Sequence, residues 1–199
     1  GLLRVNAKND RVYHEILPLP ENRIIQIFLT KNGELLIAAE SSLFYLYKIN
    51  SGILSRLDFN FQGRKERPSV YSINQSKNGD IWIGTDYHGL FVWSQENQSA
   101  SNLELRPVAG DSPLENSSIY GLELDSMGNL WCSTQDGIVK LDHKGNFLDR
   151  FSTFDGLQDK DYSIRAAFTS KSGVMYFGGT SGYNRFKPKD ISVERSPSP

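Results

Sequence analysis

The sequence has one cysteine, Cys132, in 199 residues. A single thiol excludes an intrachain disulfide framework and any paired-cysteine metal knuckle. Histidine is nearly as scarce, with only His14, His88 and His143, which leaves little material for a histidine-based metal or acid–base centre. No Gly-x-Ser-x-Gly nucleophile elbow occurs. No apolar run approaches the roughly 20 residues that span a bilayer. The formal net charge is -1, so the basic footprint that nucleic acid requires is missing. The chain opens at Gly1 without Met or a signal-like segment, so targeting information is absent or lies beyond it. The redox compartment stays open.

What the sequence does have is aromatics and glycines in a repeating order. Gly79-Asp80-Ile81-Trp82-Ile83-Gly84-Thr85 leads, after Asp86-Tyr87-His88, into Gly89-Leu90-Phe91-Val92-Trp93. The same grammar returns at Gly128-Asn129-Leu130-Trp131-Cys132-Ser133-Thr134 and at Gly173-Val174-Met175-Tyr176-Phe177-Gly178-Gly179. A weaker copy begins at Gly33. The leading glycines stand 46, 49 and 45 residues apart. One short sheet per period of that length is the pattern of a β-propeller blade array. The fold expected is all-β, a propeller fragment of about four blades cut from a seven-bladed ring. Three positions after each leading glycine stand Leu36, Trp82, Trp131 and Tyr176, flanked on both sides by apolar residues, as in a strand sandwiched between neighbours. Five positions on stand Ala38, Gly84, Ser133 and Gly178, a small column that implies close approach of a neighbour. Gly89, Gly137 and Gly182 close the second turn and supply positive φ, whereas Ser42 in the first copy predicts a different turn.

Upstream of each leading glycine lies an inner strand, at 24–29, 70–73, 119–124 and 164–168. Outer strands fall at 54–59, 103–108 and 146–151. Gly1-Leu2-Leu3-Arg4-Val5 matches Gly137-Ile138-Val139-Lys140-Leu141 in type and order, so the chain begins inside a blade at its third strand. The resulting division is a partial blade at 1–17, blades at 18–62, 63–110, 111–155 and 156–190, and a linker at 191–199 to a downstream domain. Breaks are expected near residues 20, 65, 115 and 160. The open terminal faces are expected to carry Leu2, Val5, Ile24, Ile164 and Phe177, and to favour self-association.

These words resemble the two-component regulator propeller repeat, over essentially the whole chain. The last unit is the most specific, with Phe154-Asp155-Gly156-Leu157, Tyr162 and then Gly182-Tyr183-Asn184-Arg185-Phe186-Lys187-Pro188. The first copy departs most, with Leu36 for Trp and Ser42 for Gly. The resemblance implies the periplasmic sensor part of an inner-membrane receptor, non-enzymatic in itself. In that family a tyrosine-rich β domain, a membrane helix and a signalling output come next, the output being a histidine kinase in many members and a diguanylate cyclase in others. Gly128-Asn129-Leu130-Trp131 also resembles a strand of streptogramin-lyase propellers, which leaves a propeller enzyme as one rival and a protein-interaction platform without a small ligand as another.

Position and chemistry single out candidate ligand contacts. Arg64, Lys65 and Arg67 form a basic cluster before the second inner strand, either a solvated loop or an anion clamp for an acidic oligosaccharide. The acidic connection 111–115 lies on the same face. Tyr87 and His88 sit in the longest loop of its kind, and His88 is the one histidine expected at the mouth. Gln135 occupies the corresponding turn of the next blade. Tyr162, with Tyr120 and Tyr183, offers rings to stack on a sugar. Arg165, early in the last inner strand, points to the channel or an adjacent blade and, if buried, demands a partner. Cys132 shares a column with Ile37, Ile83 and Phe177 and reads as a packing residue. No catalytic residue, metal ligand or cofactor is expected. The partners expected are a carbohydrate or other small ligand, further blades and the downstream domain, and no nucleic acid.

Overall fold

A computed structural model describes residues 2–8, 11–17, 19, 23–40, 42–57, 68–94, 105–108 and 113–191. Strands run in chain order as β1 (Leu2–Lys8), β2 (Arg11–Leu17), β3 (Ile24–Leu29), β4 (Glu34–Ala39), β5 (Leu43–Lys48), β6 (Ile53–Leu57), β7 (Val70–Gln75), β8 (Ile81–Thr85), β9 (Leu90–Trp93) and β10 (Arg106–Pro107). They continue as β11 (Ile119–Leu124), β12 (Leu130–Thr134), β13 (Gly137–Leu141), β14 (Phe147–Phe151), β15 (Tyr162–Thr169), β16 (Met175–Gly179) and β17 (Gly182–Phe186). They form five antiparallel meanders, β1-β2, β3-β6, β7-β10, β11-β14 and β15-β17. The protein is all-β and built of propeller blades.

The leading glycines explain the first hairpin of each blade. Gly33, Gly79, Gly128 and Gly173 take φ of 76, 98, 89 and 77°, a region that costs other residues steric strain. Around them the chain closes with Ser76 N donating to Asp80 O at 2.9 Å and Asp125 N donating to Asn129 O at 3.0 Å. The second turns also use the left-handed region, at Gly89, Gly137 and Gly182. Ser42 corrects the sequence expectation here. Its φ is 58°, so serine adopts the same left-handed backbone and the first copy does not switch hand.

The second strands β8 and β12 are buried on both faces because each lies between two other sheets. Along β8, Ile81 and Ile83 join Leu36, Ala38 and Phe44 of the preceding sheet. Trp82, on the opposite face, packs with Leu122, Leu130 and Cys132 of the next. Along β12 the alternation repeats, with Trp131 meeting Met175 and Phe177 of the last sheet. Tyr45 and Tyr47 pack with Leu17 of the first strand pair. Cys132 is fully buried, and burial pushes its thiol pKa up, as a packing residue requires.

Gly84 shows why its column is small. A Cβ there would stand 2.7 Å from Ile119 Cγ2 of the next sheet. The inner strands β3, β7, β11 and β15 lie side by side in chain order, and β15 also touches β7, so they form a curved wall.

Several expectations change. Among the described residues the outer strands occupy Ile53–Leu57 and Arg106–Pro107, while 58–59 and 103–104 of the ranges read from the sequence lie outside those described. Phe177 is fully buried against the preceding sheet. The uncovered face of the last blade instead carries Phe168, Tyr176 and Tyr183, whose rings touch in series at 6.3 and 6.2 Å. Ile24 packs beside Leu17 and Tyr45. The side chains of Leu2, Val5 and His14 lie outside those described.

Candidate functional site

Each inner strand carries a register shift at its start. The shifts fall between Ile24 and Gln26, Val70 and Ser72, and Ile119 and Gly121. The skipped residues are Ile25, Tyr71 and Tyr120. A bulge of this kind re-aims one side chain out of the ladder. In β15 the irregularity spans the stretch from Tyr162 to Ala167, and Arg165 within it has φ of 63°. The turns that join second and third strands stand at the same end. Their first residues reach back to the inner strand, with Glu40 N donating to Arg23 O and Asp86 N to Ser69 O, both at 3.0 Å.

Tyr71, Tyr120 and the Asp86-Tyr87-His88 loop meet at this end. The Tyr71 and Tyr120 rings are 6.3 Å apart and 19° from parallel. Ser118 Oγ donates to Asp86 Oδ1 at 3.0 Å, and Tyr87 N donates to Ser118 Oγ at 3.1 Å. Ser118 N donates to Gln135 Oε1 at 2.8 Å. His88 Nδ1 lies 2.7 Å from the Asp86 carbonyl, so a protonated Nδ1 donates there. Tyr87 holds a left-handed backbone, φ 54°, and its side chain is 66% exposed. Burial first, then the hydrogen bond to Asp86, pushes the Tyr71 phenol up to about 12. Tyr120 is raised as well, by burial and then by Tyr87.

The result is a mouth of ring faces edged by phenol hydroxyls, a serine hydroxyl and one carboxylate. Flat apolar surface with convergent donors and acceptors suits a polyhydroxylated ring. Of the residues singled out in the sequence, Tyr87, His88 and Gln135 come together here. Tyr162 does not. It is buried between the last two sheets, its hydroxyl donating to Asn184 Oδ1 at 3.0 Å. Burial and the nearby Asp159 push that phenol up to about 12.

Arg165 is exposed, which removes the expected demand for a buried partner. It lines a separate cleft of about 180 Å³ on the inner-strand wall with Gln26, Asn74 and Glu123. There Glu123 Oε2 accepts from Thr169 Oγ1 at 2.7 Å, and burial raises its carboxyl pKa. Arg64, Lys65 and Arg67 lie outside the described residues, as do 111–112 of the acidic connection. Sequence reasoning misses Tyr71 and Ser118 as members of the mouth. The signal is the pair Val70-Tyr71-Ser72 and Ile119-Tyr120-Gly121, a tyrosine one place into each strand. Among the described residues no three His, Cys, Asp or Glu side chains converge as a metal site requires.

Residues 67–87 match the two component regulator propeller family, and that segment contains both Tyr71 and Asp86. Histidine kinase P4 of Formosa agariphila is 23% identical over 203 residues, covering 97% of this chain and 14% of the kinase. Among solved structures, the extracellular domain of a Bacteroides thetaiotaomicron protein described as a one-component system superposes with a TM-score of 0.71. It is 19% identical, over 89% of this chain and 25% of that one. A second such domain, from a protein described as a hybrid two-component system of the same organism, gives 0.70 at 20% identity, over 94% and 28%. Virginiamycin B lyase from Staphylococcus aureus shares the fold at 0.62 and 15% identity, over 93% and 62%. The chain thus spans only a small part of the kinase and of the two sensor domains. Residues 67–87 carry a match to the two component regulator propeller repeat, set in a chain that shares the propeller fold of these sensor domains.

Proposed function

We propose that this chain is part of an extracytoplasmic sensing propeller in a bacterial signalling receptor. It takes a small polyhydroxylated ligand, such as an oligosaccharide, at the Tyr71–Asp86–Tyr120 mouth. The observation that carries this reading is the Asp86–Ser118–Gln135 network. It ties the loops of two successive blades into one hydrogen-bonded unit, joined by the backbone N–H of the exposed Tyr87. A ligand bridging those blades would favour one packing of the inner strands over another and bias the module downstream of the propeller. Similarity to extracellular sensor domains and to a histidine kinase supports the periplasmic placement and a kinase output in the parent receptor. The chain itself is read as non-catalytic. The carboxylate at the mouth favours neutral over acidic sugars there, while the anion clamp drawn from Arg64, Lys65 and Arg67 lies outside the described residues.

The test is a thermal-shift screen of neutral and acidic oligosaccharides. A true ligand raises the melting temperature of the wild type and loses that effect in Tyr87→Ala, whose side chain contributes little to the fold. Equal stabilisation of both proteins, or no stabilising sugar, speaks against the mouth. The second reading, a lyase-type propeller enzyme, has the shared fold as its support. It predicts turnover of virginiamycin B that Asp86→Asn or His88→Ala abolishes.

A further inference from the structure

The cleft on the inner-strand wall draws one polar residue from each of four sheets, Gln26 of β3, Asn74 of β7, Glu123 of β11 and Arg165 of β15. It exists because the neighbouring positions are small. Gln26 pairs with Ala38, and the same register position holds Ser72 opposite Gly84 and Gly121 opposite Ser133. A Cβ on Gly121 would stand 2.7 Å from Ala167 Cβ, so β11 and β15 approach closely at the cleft. Its volume of about 180 Å³ is below the roughly 300–1,000 Å³ of pockets for drug-sized ligands, which limits an occupant to a small molecule.

Its polar groups are left open in three ways. Gln26 Oε1 is buried, and among the described residues nothing donates to it, although buried acceptors ordinarily find a donor. Glu123 accepts at Oε2 from Thr169 Oγ1, and among the described residues no cation pairs with its carboxylate. Arg165 lines the same cleft without an ion pair of its own among the described residues. Asn74 is different, because its Nδ2 donates to Leu122 O at 3.0 Å and its Oδ1 accepts from Gln75 N at 2.8 Å. It shapes the wall and has little left for a ligand.

The backbone at Arg165 is also unusual. Between the pairs Tyr162–Gly179 and Ala167–Phe177, the stretch from Ser163 to Ala166 stands against Gly178 alone, whereas each earlier blade skips a single residue. Within that bulge Arg165 takes a left-handed φ of 63°, a conformation that costs a residue with a Cβ and that recurs where a side chain is aimed at a ligand. We propose that the cleft is a ligand site separate from the mouth, for a small zwitterion of the α-amino acid type. Its ammonium pairs with Glu123, its carboxylate enters the planar fork of Arg165, and Gln26 Oε1 accepts from a donor on the ligand. A carboxylate and a guanidinium that line one cleft without meeting leave room for a molecule carrying both opposite charges. The site does not depend on the mouth.

The test is resonance shift mapping and calorimetric titration of the full chain with L-serine and L-asparagine. The tighter binder of the two should move resonances of Gln26, Glu123 and Arg165 along one saturating curve, while Tyr71 and Tyr87 of the mouth stay still. Its N-acetyl form lacks the ammonium and its α-amide lacks the carboxylate, so each should bind at least about tenfold more weakly. Glu123→Gln keeps an acceptor for Thr169 Oγ1. It should weaken the free amino acid at least about tenfold and leave the N-acetyl form unchanged. Arg165→Gln, at an exposed position, should weaken the free amino acid and leave the α-amide unchanged. A cleft silent to both amino acids overturns the proposal. So do half-ligands that bind as tightly as the whole. Variants that weaken every probe alike also overturn it, by making Glu123 and Arg165 structural, as does movement at the mouth alone.

Discussion

Gly84 is where one missing atom decides how two blades meet. Its absent Cβ leaves room for Ser72 Oγ of its own sheet and for Ile119 of the next inner strand, so Gly84→Val should cost about 1–3 kcal/mol by overpacking. Gly178 holds the same place in the last blade, but a Cβ there would stand 3.2 Å from Ala166 and meet no neighbouring sheet. Gly178→Val should therefore cost clearly less, a difference that urea unfolding of the two variants measures. Equal losses would refute a role for the next blade. Tyr71 and Tyr162 give the molecule an alkaline limit. Both phenols are raised from 10.0 to about 12 in the folded protein. A raised folded pKa means that the neutral form is favoured by folding, so its stabilisation is complete below pH 10 and fades towards 12. Melting temperatures should hold up to pH 10 and fall beyond it, while phenolate absorbance shows some tyrosines ionising late. A melting temperature still flat at pH 12 would contradict this.

At the scale of the element, the turn from Asp125 to Asn129 organises the third blade. Asp125 accepts from the backbone of Met127 and Asn129 at 2.9 Å, from Asn129 Nδ2 at 2.9 Å and from Trp131 Nε1 at 3.1 Å. Asp142 makes a similar turn, with Asn146 as its partner, but on the surface and without a tryptophan. Asp125→Ala should destabilise by about 1–3 kcal/mol, because it leaves a buried indole N–H without its acceptor. Asp142→Ala should cost less, and reversed sizes in thermal unfolding would sink the distinction.

The same elements divide what is legible in the sequence from what is not. The tryptophan column, the leading glycines and the small column recur at a near-constant step because successive blades repeat the same turns and meet their neighbours in the same way, so periodicity reveals them. The bulges at Tyr71 and Tyr120 are properties of pairing with a second strand, and single-strand patterns do not carry them. Phe177 lies on the covered face rather than the open one, because alternation fixes parity but not which parity faces the neighbouring sheet. A buried Arg165 presupposes a regular strand, and its left-handed backbone removes that premise.

At the scale of the molecule, the last blade presents Phe168, Tyr176 and Tyr183 on a face that the preceding blades cover. Tyr176 takes the column of Trp82 and Trp131, and Tyr183 that of Leu90 and Ile138. Those four are 3% exposed or less, while Tyr183 is 65% and Phe168 61% exposed. A patch of this kind marks an interaction surface. Sedimentation of the chain should show concentration-dependent association that Phe168→Lys with Tyr183→Lys removes. A monomer at high concentration would contradict it, and Phe154→Lys, at an aromatic exposed elsewhere, is the control.

If the bulged tyrosines and the Asp86 loop form one ligand mouth, nuclear magnetic resonance shift mapping during titration with a neutral oligosaccharide will show them responding as a unit. Resonances of Tyr71, Tyr87, Ser118 and Tyr120 should move together along one saturating curve, and Asp86→Asn should weaken the whole set. Movement confined to the Gln26–Glu123–Arg165 cleft, with the mouth silent, would contradict it.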